Sequence, residues 1–210
     1  MKTLIKEIDI NKPDQDLISL FATMLADGKT VIFPTETVYG LGANALDEDA
    51  ATKIYQAKGR PSDNPLLVHV ADKEDVYDLV ENIDDRAKLL MDKFWPGPLT
   101  IVFKKKAIIP DRTSGGLDTV AIRMPSDQVA RDLIRQAGVP IAAPSADSLS
   151  ARFSATFCPF LRSTSIALLK SPSASTKAFL QSIIPAPVAC LSLFTSAAVI
   201  FDIFLYFFKK

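Results

Sequence analysis

From Pro13 to Asp27 the apolar residues Leu17, Ile18, Phe21, Met24 and Leu25 recur at helical spacing, which predicts a helix with one buried face, closed by Gly28. The run Thr30–Phe33 predicts a short strand halted by Pro34. Asp47 supplies an N-cap for a helix whose inner face is Ala50, Ile54 and Ala57, and Gly59 ends it. Leu66–Val70 reads as a strand with Pro65 at its mouth, and Asp84–Phe94 as a helix stopped by Trp95-Pro96-Gly97-Pro98. Leu99–Phe103 and Thr119–Met124 read as strands around the turn-like Thr113-Ser114-Gly115-Gly116. Ser126 is expected to cap a helix to Ala137, closed by Gly138, with Pro140–Ala143 as a last strand. Strands alternating with helices imply an α/β fold built on one twisted sheet. Short connections without full crossover helices make that sheet mixed.

The pattern breaks after Asp147. All eight glycines precede residue 139, while nine of the 13 phenylalanines and 11 serines lie in the last 63 residues. A folded α/β domain needs glycine at turns of positive φ and acids on its solvated faces, and this segment supplies almost neither. We therefore expect a domain over residues 1–156, with its core at about 10–150, and an aberrant apolar, Ser-rich tail over 157–210. A shifted reading frame accounts best for that tail; a divergent lipid- or partner-facing extension is the alternative. Ala186–Phe208 is 23 residues with one charge, Asp202, followed by Lys209-Lys210. It is long enough to span a bilayer, although Asp202 would cost roughly 3 kcal/mol near the centre, so an accidental apolar run is the preferred reading.

Lysine plus arginine and aspartate plus glutamate both number 24, but residues 1–147 carry 18 basic against 23 acidic side chains. Neither part has the dense basic surface of a protein devoted to gripping nucleic acid. The start, MKTLIKEIDINKPDQ, lacks the apolar stretch of a secretory signal, and the two cysteines, Cys158 and Cys190, both fall late. A reducing, cytoplasmic setting fits residues 1–147.

Candidate chemistry gathers between Gly28 and Ala71. Lys58-Gly59-Arg60 places two cations at a helix end, ahead of the rigid polar loop Pro61-Ser62-Asp63-Asn64-Pro65. Together with the Thr35/Thr37 turn they are suited to holding a polyphosphate; solvated cations complementing the helix dipole are the alternative. Gly40-Leu41-Gly42 is too far from its strand, and lacks the acid ~20 residues on, for a dinucleotide fingerprint. Those glycines serve either a sharp turn or the close approach of a ligand. Arg123, inside an apolar strand, must reach an anion such as a substrate carboxylate, or else lie at an edge facing water. His69, the single histidine, alternates with apolar residues and reads as a core or rim side chain. Ser145 puts a small hydroxyl at a strand end, and Phe94 and Trp95 are expected in the core. No metal cluster and no nucleophile triad stand out, so chemistry must come from positioning and charge neutralisation.

Six pieces in order carry a resemblance: Phe33 to Gly42 (FPTETVYGLG), Lys58 to Pro61, Asn64-Pro65-Leu66, Trp95 to Thr100, Val120 to Pro125, and Ala143 to Ala146. Over about residues 10–156 the chain resembles the YrdC-like threonylcarbamoyl-AMP synthase family. That resemblance implies a twisted mixed open sheet with helices on both faces and a concave central site. It implies that L-threonine, bicarbonate and ATP give threonylcarbamoyl-AMP and pyrophosphate, the product feeding a tRNA threonylcarbamoyl transferase complex. It assigns Thr37, His69, Arg123 and the backbone at Ala143 to threonine. Lys58, Arg60, Asn64, Thr119, Ser145 and Ser154 fall to ATP, with Lys58 and Arg60 as the catalytic cations and Mg2+ expected beside the triphosphate.

Two departures bear on this. Asp147 stands where the family has asparagine, and Ser148 reads as an insertion, which shifts the following stretch to Ser154. The family's later strands and its Ser-Thr-Val segment are not found after Thr156. A non-catalytic nucleotide- or RNA-binding module, or an inactive truncated member, is therefore the alternative to an active synthase.

Overall fold

A computed structural model describes residues 4–9, 11–59, 61–146 and the strand 166–170. Its elements in chain order are β1 (Leu4–Glu7), α1 (Gln15–Ala26), β2 (Thr30–Phe33), β3 (Gly40–Asn44), α2 (Glu48–Lys58), β4 (Leu67–His69) and α3 (Asp75–Leu79). There follow α4 (Asp85–Phe94), β5 (Thr100–Lys104), α5 (Asp111–Ser114), β6 (Thr119–Arg123), α6 (Gln128–Ala137), β7 (Ile141–Ala142) and β8 (Ile166–Lys170). Side-chain caps set several starts: Asp14 accepts from Asp16 N and Leu17 N, and Asp47 from Asp49 N and Ala50 N. Gly59 and Gly138 end α2 and α6 at φ 60° and 66°, the left-handed conformation that glycine adopts without Cβ strain. The start of α6 differs from expectation by one residue, because Asp127 rather than Ser126 accepts from Ala130 N.

The sheet has eight strands in the order β1-β8-β2-β3-β7-β4-β6-β5. β1, β8 and β2 run parallel, as do β4 and β6, and the remaining neighbours are antiparallel. The expected mixed open sheet with helices on both faces is thus present. β8 lies in the segment read from sequence as foreign to the domain, yet it pairs with both β1 and β2. The rest of 157–210, including Ala186–Phe208, lies outside the described residues. Among the described residues no helix is long and apolar enough to cross a membrane.

Two buried clusters lie on the two faces. One joins Val68, Val120, Ile122 and Phe103 to Ile54 of α2, Leu79 of α3 and Met91 of α4. The other packs Ile18, Phe21 and Leu25 of α1 and Val129 and Leu133 of α6 on Val31, Phe33 and Ile141. Successive residues of a strand face opposite sides. His69 and Arg123, next to Val68 and Ile122, therefore look to the α1/α6 side. There Leu67, Thr100, Thr119 and Ala121 are only half-buried and Val102 and Lys104 are exposed. This stretch of β4, β6 and β5 borders the α1/α6 layer.

β3 was not foreseen. Gly40 and Gly42 are strand residues, and a Cβ on Gly42 would stand 2.6 Å from the Phe33 ring and 2.8 Å from Ile141. The glycines admit the Phe33 ring, which replaces the expected turn or ligand approach. Phe94 is 53% exposed against the expectation of a core position, whereas Trp95 is buried.

Candidate functional site

Strand register builds the centre of the site. β4 and β6 run parallel with His69 opposite Arg123, so an imidazole and a guanidinium project side by side from the same face. Arg123 is buried, at 6% exposure, which excludes the edge position facing water. Its Nη2 donates to Glu36 Oε1 at 2.5 Å and to Thr37 Oγ1 at 3.3 Å.

Both acceptors come from the turn between β2 and β3. Thr35 Oγ1 donates to the Val38 carbonyl at 2.5 Å and accepts from the amides of Thr37 and Val38. Thr35 Oγ1 also lies 3.3 Å from Thr37 Oγ1. Thr37 Oγ1 accepts from Arg123. The turn is thus preorganised by its own hydroxyls.

Burial shapes the chemistry of His69. Desolvation, then the Arg123 charge, lower its pKa from 6.5 to about 3, so the imidazole is neutral at pH 7. It meets Phe33 edge-on, with ring centroids 6.1 Å apart. Three buried polar atoms here have no hydrogen-bond partner: Glu36 Oε2, His69 Nδ1 and Arg123 Nε. Orphaned buried atoms cost roughly 1–3 kcal/mol each, and three in one cluster mark a place prepared for a polar ligand. Asp127 belongs to the surroundings, since burial chiefly, with the Glu36 charge, raises its carboxyl above the usual range.

The residues expected to hold ATP are placed differently. Ala143 N donates to Leu67 O at 2.8 Å, which leads the chain after β7 past the N-terminal end of β4. Ser145 there forms an antiparallel bridge with Gly40. Lys58 comes round from α2, on the opposite face, and its Nζ donates to the Ser145 carbonyl. The loop carrying Asn64 is clamped, because Tyr55 Oη donates to Asn64 O at 2.8 Å. Asn64 itself is exposed. Thr119 opens β6, four residues or about 13 Å of strand from Arg123 and on the same face. Lys58, Asn64, Thr119 and Ser145 thus lie toward the N-terminal end of β4 and β6, and His69 and Arg123 at the C-terminal end, while the turn with Thr37 adjoins Ser145, through Ala146 N donating to Tyr39 O, and is reached by the Arg123 side chain. Arg60, Asp147 and Ser154 lie outside the described residues.

Glu36 is the partner of Arg123 that sequence reasoning passed over. A buried strand arginine needs a counter-ion in the free protein, and the single acid within the FPTETVYGLG turn was the available signal. Separately, a cavity of about 290 Å³ is lined by Leu46, Asp72, Asp75, Ile134, Arg135 and Pro140, and involves no expected site residue.

Fold and site define an α/β sheet protein that collects a guanidinium, a neutral imidazole and a hydroxyl-rich turn at the ends of two parallel strands. The sequence profile of the Sua5/YciO/YrdC family, described as telomere recombination, matches residues 23–158, and the chain belongs to this family. It is 53% identical over 130 residues to the threonylcarbamoyl-AMP synthase of Pyrococcus abyssi (strain GE5 / Orsay), covering 62% of this chain and 38% of that protein. To the threonylcarbamoyl-AMP synthase of Bacillus subtilis (strain 168) it is 53% identical over 143 residues, covering 67% and 40%. The chain therefore spans about two fifths of the length of these relatives. Its fold matches that of P. abyssi Sua5 complexed with L-threonine at a TM-score of 0.72 and 44% identity, over 79% of this chain and 50% of that one. E. coli YciO, at a TM-score of 0.66 and 19% identity over 80% of this chain and 84% of that one, shares the fold.

Proposed function

We propose that this domain makes threonylcarbamoyl-AMP from L-threonine, bicarbonate and ATP with release of pyrophosphate, in the cytoplasm, for the threonylcarbamoyladenosine modification of tRNA. The observation that carries the proposal is the buried Arg123, held with Thr37 and a neutral His69, where Arg123 Nε, His69 Nδ1 and Glu36 Oε2 are buried without partners. A related fold bound to L-threonine supports the same ligand here.

In this reading Arg123 takes the threonine carboxylate, and Thr37, His69 and the backbone at Ala143 fix the rest of the amino acid. ATP lies toward the other strand end, held by Lys58, Arg60, Asn64, Thr119, Ser145 and Ser154. The threonine amine forms a bond to CO2 derived from bicarbonate and loses a proton, giving a carbamate. A carbamate oxygen then attacks the α-phosphorus, and the bond to pyrophosphate breaks. Lys58 and Arg60 neutralise the charge that builds on the leaving group. Among the described residues no group of three His, Cys, Asp or Glu could hold a metal. Mg2+ bound to ATP would supply further charge neutralisation on the phosphates. The product would pass to a tRNA threonylcarbamoyl transferase complex.

The test is pyrophosphate release with each substrate omitted in turn. Release is expected only when threonine, bicarbonate and ATP are all present. Arg123→Ala should weaken threonine binding by at least about 30-fold, equivalent to the roughly 2 kcal/mol or more of a lost buried charge pair. ATP turnover indifferent to threonine, or an Arg123→Ala protein that binds threonine normally, sinks the reading.

A further inference from the structure

Nε–H and Nη2–H of a guanidinium form the parallel fork that grips both oxygens of a carboxylate. In this site Glu36 occupies only half of it. Its Oε1 lies on Nη2 at 2.5 Å, while Arg123 Nε and Glu36 Oε2 are both buried and both without partners. The ion pair is enclosed, with the two side chains 7% and 18% exposed. Both unpartnered atoms are shielded from bulk solvent.

An apolar ligand would leave these atoms as they are, and a simple anion would meet only Nε while facing the Glu36 charge. A zwitterion completes both. Its carboxylate spans Nε and Nη2, and its ammonium donates to the carboxylate that Nη2 releases. Charge count agrees, since Arg123 pairs with Glu36, whose charge is also felt by Asp127, and His69 is the other titratable neighbour of the guanidinium. Once the ligand carboxylate takes Arg123, negative charge remains for an ammonium.

We propose that Glu36 is a substrate-positioning residue that serves as the counter-ion of Arg123 in the free protein and exchanges it for the ammonium of the incoming amino acid. The inference rests on the reading of this site as the threonine site and adds to it the residue that selects an α-amino acid over a plain hydroxy acid. Holding the ammonium also fixes the nitrogen that later reacts, toward the strip of β6 between Arg123 and Thr119.

Calorimetric titration of the full chain with L-threonine and with (R)-3-hydroxybutanoate, which keeps the carboxylate and hydroxyl but lacks the amine, tests this without turnover. Wild type should favour threonine at least 10-fold. In Glu36→Gln, threonine should weaken at least 10-fold, while the hydroxy acid holds or tightens because its rival for Arg123 has lost its charge. Threonine affinity within threefold of wild type, or equal weakening of both ligands, overturns the inference and leaves the threonine site standing. A wild-type chain that binds no threonine overturns both. Should Glu36→Gln fail to fold, Glu36→Asp keeps the charge and shortens the reach; the same opposite response is expected, and a parallel loss refutes it.

Discussion

His69 offers a measurement in which one side chain can be isolated, because the chain has a single histidine. Burial and the Arg123 charge bring its pKa in the fold from 6.5 down to about 3. Above pH 6.5 the imidazole is neutral in both folded and unfolded chains, and its full contribution to stability is present. Between pH 6.5 and about 3 the unfolded chain binds a proton that the folded chain refuses, so stability is lost as pH falls. At pH 5 the loss is 1.5 units at 1.36 kcal/mol each, or about 2 kcal/mol. For a domain of this size that lowers Tm by about 4–8 °C. Urea unfolding of wild type and His69→Gln at pH 7.5, 6.0 and 5.0 measures it. The variant should be less stable at pH 7.5, and the gap should close by about 2 kcal/mol by pH 5. Parallel curves would refute the argument. They would mean that the imidazole charges freely, through water or through the unpartnered Glu36 oxygen.

Gly42→Ala should destabilise the domain by about 1–3 kcal/mol in urea unfolding, because the added methyl meets Phe33 and Ile141 below 3.0 Å in a packed core. Asp127 carries a carboxyl whose pKa burial raises above 3.8, so its charge costs stability at neutral pH and the cost fades as pH falls toward 3.8. Asp127→Asn keeps an oxygen for capping Ala130 N and removes that charge; its melting temperature should exceed wild type at pH 7, with the advantage shrinking near pH 4.

The elements legible in the sequence are those with local signals. α1, α2 and α4 announce themselves by periodicity and capping, and β2, β4, β5 and β6 by apolar runs bounded by proline or turn residues. β3 was missed because strand propensity is a statement about side chains, and Gly-Leu-Gly-Ala-Asn has almost none. Its strand character comes from the neighbouring Phe33, whose ring fills the space over Gly42. β1 and β8 depend on each other and on β2 across a long sequence separation, which no local window registers. Of the site, Arg123 was legible because a charge in an apolar strand demands a partner. The identity of that partner was not, since only the tertiary fold brings the β2–β3 turn within reach of the Arg123 side chain.

Register also bears on how the proposed reaction could be divided along the sheet. Thr119, Ala121 and Arg123 share one face of β6, and Leu67 stands opposite Ala121 on β4. The strip between Arg123 and Thr119 thus presents small or apolar side chains, Ala121 and Leu67, which transfer no proton. Carbamate and α-phosphorus would meet over that strip, about 13 Å long from Arg123 to Thr119. A strand face of this kind can contribute only by bringing the reacting atoms together and by keeping their charges countered at the two ends. The burden of rate then falls on the rigidity of those ends. One is fixed by the pairing of His69 with Arg123, the other by Lys58 reaching across to the chain that leaves β7, and the Thr35 turn joins them, bonded to Arg123 at Thr37 and to Ala146 N at Tyr39 O.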